Sequence, residues 1–255
     1  MKGVILAGGL GTRLRPLTKV TNKHLLPIYD KPMVNWAIEA LVGAGVTDLM
    51  LVSGGTHAGE FLRLLGNGQQ HGINQLSYAY QDRAGGIAEA LGLAERFAGG
   101  DRVVVMLADN VVEYSIAPFV ENFRTQQRGA RILLSQVDDR RHLHHLGVAE
   151  LDSGGRVRSI VEKPAEPPSH YAVTGIYCYD EQVWSVLPTL QPSGRDELEI
   201  TDVNNWYVAE EAMEHDVLPG FWGDAGESID AYYVVNDFVR LNGANKPRTS
   251  MRAAG

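Results

Sequence analysis

The residues best placed to do chemistry begin at position 8. Gly8, Gly9 and Gly11 follow the apolar run Val4-Ile5-Leu6-Ala7, and Arg13, Arg15 and Lys23 lie close behind. Glycines at the end of a strand let backbone N–H groups approach phosphate oxygens with no Cβ in the way. Cations so near supply the charge that a triphosphate needs. Two familiar phosphate loops do not fit. A Walker A loop ends in Gly-Lys-Ser/Thr, which this segment lacks. A dinucleotide fingerprint read from Gly9 and Gly11 requires a third glycine where Leu14 stands. A tight strand-to-helix turn accounts for the glycines but not for the cations.

Two carboxylates stand in similar settings far apart in the chain. Asp109 ends the strongly apolar run 103–108, and Asp224 follows Phe221-Trp222-Gly223. Active groups of open α/β sheets gather at the carboxyl ends of strands. An aspartate there also serves as a helix N-cap or a turn residue. Magnesium takes one or two carboxylates and fills its other positions with water and substrate phosphates, an arrangement suited to phosphoryl-type transfer. His142, His144 and His145 crowd one segment without a partner cluster and read as a solvated loop.

Positioning these groups requires strands that stop where the groups begin. Residues 4–7, 49–52, 76–80 and 102–108 read as strands. Residue 32 opens a helical stretch in which Val34, Ile38, Leu41 and Val42 share a face, and 61–65 and 86–97 also read as helical. Strands alternating with helices imply right-handed crossovers and a mainly parallel sheet covered on both faces. The fold class is α/β and Rossmann-like. In the second half, 147–151 and 156–161 flank Asp152-Ser153-Gly154-Gly155 as a β-hairpin. Residues 171–179 read as a further strand, and 202–212 and 229–241 as helices. These form a small antiparallel addition with helices around the first sheet. One domain over residues 1–242 is expected, followed by a flexible tail, 243–255.

Composition narrows the partners. With 255 residues, 44% hydrophobic and 21% charged, the chain is an ordinary globular protein. A net charge of −8 argues against non-specific nucleic-acid binding. No apolar run approaches the ~20 residues that span a bilayer, and the start lacks the apolar core and cleavage site of a leader. The lone cysteine, Cys178, excludes an internal disulfide and suits a reducing compartment, with the cytoplasm as the default address.

The segment Leu6-Ala7-Gly8-Gly9-Leu10-Gly11-Thr12-Arg13-Leu14-Arg15-Pro16-Leu17-Thr18 resembles the signature loop of sugar-1-phosphate nucleotidyltransferases. Asn22-Lys23-His24-Leu25-Leu26-Pro27-Ile28-Tyr29-Asp30-Lys31-Pro32-Met33 is similar to the glucose-1-phosphate thymidylyltransferase branch. The resemblance runs from residue 1 to about residue 239. It implies the nucleotide-diphospho-sugar transferase fold and a Mg²⁺-dependent reaction of a nucleoside triphosphate, dTTP, with a sugar 1-phosphate. It also implies a nucleotide-binding part over about 1–110, a sugar-binding part over about 111–242, and a homo-oligomer, dimer or tetramer.

Site residues follow from the same resemblance. Leu6, Gly8, Gly9, Gly11 and Thr12 are implied to wrap the nucleotide, Arg13 to hold the departing pyrophosphate, and Lys23 to lie near the reacting phosphates. Asp109, in Leu107-Ala108-Asp109-Asn110, and Asp224, in Asp224-Ala225-Gly226-Glu227, match the family's metal ligands. Their neighbours Ala108 and Glu227 depart from its pattern. Gln81, whose amide suits the imide edge of thymine or uracil, and Gly86 match the segment that reads the base. Glu162 and Lys163 match the pair that binds sugar hydroxyls and sugar phosphate, although a surface ion pair across strands also explains them. Arg195, Gly147 and Val173 match further sugar-phosphate positions. The resemblance makes glucose 1-phosphate the first choice of sugar, but Leu146 departs from the aromatic residue expected before Gly147, which leaves open another sugar or cyclitol phosphate. UTP in place of dTTP, or a non-catalytic sugar-nucleotide sensor, stays open as well. Longer members continue into C-terminal helices that carry oligomer and effector surfaces.

Overall fold

The computed structural model describes residues 1–247. Strand β1 (Lys2–Ala7) leads through the glycine loop and two short paired strands, β2 (Pro27–Ile28) and β3 (Lys31–Pro32), into helix α1 (Met33–Gly43). Then come β4 (Asp48–Gly54), α2 (Ala58–Leu65), β5 (Gln75–Gln81), α3 (Ile87–Gly92), α4 (Glu95–Ala98) and β6 (Val103–Leu107). β4, β1 and β6 pair in parallel, and β5 joins β4 the same way. This is the expected parallel sheet.

The apolar runs fill both of its faces because alternate side chains point to opposite sides. Val4 and Leu6 join one core with Val103 and Val105. Ile5 and Ala7 join the other with Val104 and Met106, beneath Val34, Ile38 and Leu41 of α1 and Phe61 of α2. One reading of the first half needs correction. The helix expected over 86–97 breaks in two after Gly92, where the Ala94 N–H bonds Leu91 O three residues back instead of continuing the α-helical ladder.

The second half adds β7 (Asn110–Val112), α5 (Ala117–Thr125), β8 (Ala130–Gln136), α6 (Arg140–Leu143), β9 (Gly147–Leu151), β10 (Val157–Glu162) and β11 (Tyr171–Tyr179). It continues with α7 (Val183–Val186), α8 (Ile200–Ala209), β12 (Met213–Val217), β13 (Trp222–Asp224) and α9 (Ile229–Asn242). The long strand β11 runs antiparallel to β6 and carries the sheet onward to β9, β10 and β8. The hairpin of β9 and β10 is present as expected.

Two strands of the main sheet, β8 and β12, were not foreseen. β12 pairs with β8 in parallel, and its sequence Met-Glu-His-Asp-Val has the charge of an edge strand rather than a core pattern. The helix expected over 202–212 stops at Ala209, because Glu211 takes a left-handed conformation (φ 51°) and turns the chain into β12. The tail also differs from expectation. Asn245 donates its backbone N–H to Val112 O and its side chain to Trp36 O, and Lys246 Nζ meets Glu113 at 2.8 Å. Residues 243–246 are therefore pinned to the body, and 248–255 lie outside the described residues. No helix among the described residues is long and apolar enough to cross a membrane.

Candidate active site

A cleft of about 630 Å³ opens at the carboxyl ends of β1, β5 and β6 and extends over β9, β10 and β11. Leu6, Gly8, Gly9, Thr12 and Arg13 form one wall, directly after β1. Gly11 does not line the cleft. It turns the loop at φ 63°, its carbonyl accepts from Thr18 Oγ1 at 2.7 Å, and a side chain there would meet Lys23 and Thr18. Arg13 is exposed and makes no ion pair among the described residues. Arg15 points elsewhere and does not line the cleft.

Asp109 occupies the turn between β6 and β7, one of the alternatives open from sequence. β7 pairs antiparallel with β13, so Asp224 stands opposite Asn110, and the Ala225 N–H donates to Asp109 O at 2.9 Å. A separation of more than a hundred residues closes to neighbouring positions. Beside Asp109 comes Lys23, buried, whose ammonium donates to it. A side chain at Gly226 would collide with that ammonium and with the Asp109 carboxylate, so the missing Cβ there leaves the room both need.

The electrostatics of this trio follow from burial. Burial pushes Asp109 upward, but the Lys23 ammonium beside it, with hydrogen bonds from Lys23 and Asn110, wins and holds the carboxyl well below the usual range. Asp224 is pushed up, first by burial and then by the charge of Asp109. The Lys23 ammonium is paired with Asp109, and the half-buried Asp224 has no cation within ion-pair distance among the described residues, so its charged form is the disfavoured one. His24 lines the same wall; burial, reinforced by Lys23, lowers it to about 3 and keeps it neutral.

The donor set fits a hard divalent cation. Two carboxylates come together, only Asp109 with an ion-pair partner, and the described residues hold no cluster of three or more His, Cys, Asp or Glu that would complete an all-protein cage. Such a pair leaves the remaining positions to water and phosphate oxygens, as magnesium prefers.

The far end of the cleft holds the other predicted residues. Glu162 ends β10 opposite Gly147 of β9, and its carboxylate accepts from Thr201 Oγ1 at 2.7 Å. Lys163 follows in a left-handed conformation (φ 46°), a strained setting for lysine that suits a functional position. Its ammonium is 3.6 Å from Glu162. Arg195 lines the cleft, but its guanidinium is already engaged by Glu199 at 2.8 Å and by Glu162 at 3.4 Å. Val173 and Leu146 complete this wall. Gln81 and Gly86 close the side next to the glycine loop.

The three histidines go separate ways: His142 faces Glu227 at 3.3 Å, His144 donates to Pro164 O, and His145 reaches the cleft wall. Sequence reasoning passed over Asn110, Thr201 and Trp222. Asn110 accepts from the Gly175 N–H and from Trp222 Nε1, tying β7 to β11 and β13. Only its place beside Asp109 could have singled it out.

The architecture has close counterparts. A glucose-1-phosphate thymidylyltransferase of Actinoplanes sp. is 41% identical over 94% of this chain and 78% of its own length. The low-salt glycan biosynthesis nucleotidyltransferase Agl11 of Haloferax volcanii is 37% identical over 90% of this chain and 64% of its own length. A crystal structure of a Bacillus anthracis protein assigned as a glucose-1-phosphate thymidylyltransferase, in complex with a sucrose, superposes with a TM-score of 0.88. It shares 48% identity over 94% of this chain and 95% of that one. An apo UDP-glucose pyrophosphorylase structure, at 22% identity and a TM-score of 0.83, shares the fold. The family model described as nucleotidyl transferase matches residues 2–241, a span that takes in every residue of the cleft, and the chain belongs to that family.

Proposed function

We propose that the protein transfers the nucleotidyl group of dTTP to a sugar 1-phosphate, glucose 1-phosphate in the first instance, with Mg²⁺ and with release of pyrophosphate. The observation that carries this reading is the meeting of Asp109, Asp224 and Lys23 beside the glycine loop. The names of the Actinoplanes and Bacillus anthracis proteins support the choice of dTTP and glucose 1-phosphate.

In this reading an oxygen of the sugar phosphate attacks the α-phosphorus in line, and the bond to the β-phosphate breaks. Pyrophosphate leaves with the electron pair. The nucleophile is already anionic, so the residues work by positioning and charge neutralisation, without a covalent intermediate or a strong general base. Backbone N–H groups of the glycine loop hold the triphosphate, and Arg13 neutralises the departing pyrophosphate. Lys23 and Lys163, both lining the cleft, steady the nucleophile. Gln81 reads the base, Glu162 accepts from sugar hydroxyls, and Arg195 approaches the sugar phosphate. Mg²⁺ on Asp109 and Asp224 supplies positive charge to the nucleotide phosphate oxygens. The same reading divides one domain, 1–242, at about residue 110 and puts the enzyme in the cytoplasm, which the buried lone thiol of Cys178 suits. The apolar side chain of Leu146 in the sugar wall favours a second reading in which the sugar is not glucose.

The test is pyrophosphate release with Mg²⁺, crossing dTTP, UTP, ATP, CTP and GTP against a panel of sugar 1-phosphates. Release that needs both a pyrimidine triphosphate and one sugar phosphate is expected. Silence from every pair while dTTP still binds would mark a sugar-nucleotide sensor instead.

A further inference from the structure

Gln81 is nearly buried at the end of β5, and its amide can be oriented from its neighbours alone. Nε2 lies 3.0 Å from Glu89 Oε1 and 3.2 Å from Gly86 O. A carboxylate and a peptide carbonyl only accept, so the nitrogen must face them and both its hydrogens are used. The oxygen is therefore turned the other way, against Gly8, where a built Cβ would come within 2.6 Å of it. Oε1 has no hydrogen-bond partner among the described residues, and Gly8 and Gln81 both line the cleft. Glu89 does not line it. Arg83 holds the second Glu89 oxygen at 2.9 Å and reaches Asp196 at 3.3 Å. The Gly86 carbonyl is fixed as well, because Leu198 N donates to Gly85 O and Ala88 N to Leu198 O on either side of it.

We propose that Glu89, clamped by Arg83, is a positioning residue that turns the Gln81 amide oxygen outward and so makes the base pocket select a ring N–H. The N3–H of thymine or uracil satisfies that acceptor. Cytosine presents a lone pair at N3 and leaves two acceptors facing each other. This rests on the proposed function for the identity of the site, but selectivity is readable without turnover.

The experiment is calorimetric binding of dTTP and dCTP to the wild type, Glu89→Ala, Glu89→Gln and Arg83→Ala, with thermal melts to confirm folding. The preference for dTTP falls about ten-fold in Glu89→Ala, the size of one misdirected buried hydrogen bond. Glu89→Gln restores it, because its amide oxygen still accepts from Gln81. Arg83→Ala, on an exposed side chain that folding does not need, lowers it about two- to three-fold. An unchanged preference in Glu89→Ala, or Glu89→Gln no better than Glu89→Ala, overturns the assignment. Pyrophosphate release by the wild type is followed in parallel: its absence would sink the transferase reading and leave the binding ratios to judge Glu89.

Discussion

The two ends of the cleft handle charge in opposite ways. At the end proposed for the nucleotide, Arg13 makes no ion pair among the described residues, and the one buried ammonium is paired with Asp109 while Asp224 has none. Incoming phosphates and a dication each find a charge waiting there. At the sugar end every cation is already neutralised: Lys163 by Glu162, and Arg195 by Glu162, Glu197 and Glu199. A monophosphate arriving there must share those cations with carboxylates, so much of its grip comes from shaped hydrogen bonding, as with Glu162 held by Thr201. On the proposed assignment, the nucleotide end is built for charge and the sugar end for geometry.

The largest effect that would break this comparison is at Asp224. Asp224→Asn should cut the rate of pyrophosphate release by roughly 10²–10³, the usual cost of losing one transition-state charge partner. Its melting temperature should hold, because burial and Asp109 already disfavour the charged form of Asp224, and asparagine keeps an oxygen for the Gly226 N–H. Asp109→Asn should lose a similar rate factor and also about 3 kcal/mol of stability, since it strands the buried Lys23 ammonium. Chemical denaturation of the two variants side by side separates them. Full activity in either would remove that aspartate from the chemistry.

Arg13→Ala comes next, with kcat/KM for the triphosphate down roughly a hundred-fold. Its stability should be unchanged, because an exposed arginine without a partner contributes little to folding. At the sugar end Thr201→Val frees the Glu162 carboxylate. The KM for the sugar 1-phosphate should rise about ten-fold while that for the triphosphate stays put. Equal rises in both would erase the distinction between the ends. Smallest is Asn245→Ala, which should cost about 1 kcal/mol by releasing the Trp36 carbonyl and leave kinetics unchanged. Scanning calorimetry reads it, and no shift would mean the 243–246 segment adds nothing to the fold.

Legibility followed the same divide. The first strand, the glycine loop and the Asp109 turn were readable because their signals are local: an apolar run of one length, then glycines, then charge. β12 was not readable, because an edge strand paired on one side carries no apolar period. The break in 86–97 and the early end of α8 were missed for a related reason. Helical propensity continues through both, and the interruptions come from a local change of hydrogen-bond spacing at Ala94 and a left-handed Glu211. Arg195 was singled out as a phosphate contact; Glu197 and Glu199 stand two and four residues on, but only the fold shows that they and Glu162 hold its guanidinium.

The sequence by itself determined the parallel core, the glycine loop, the family and the identity of most cleft residues. Each of these is written in spacing or in side-chain type. Tertiary structure alone decided which of those residues touch. The β7–β13 register brings Asp224 beside Asp109, Gly226 makes room for Lys23 against Asp109, and Glu89 sets which way Gln81 faces. Hydrogen-bond direction and the pairing of buried charges depend on atoms a few ångströms apart in space. Segments more than a hundred residues apart meet at that distance only once the sheet has closed.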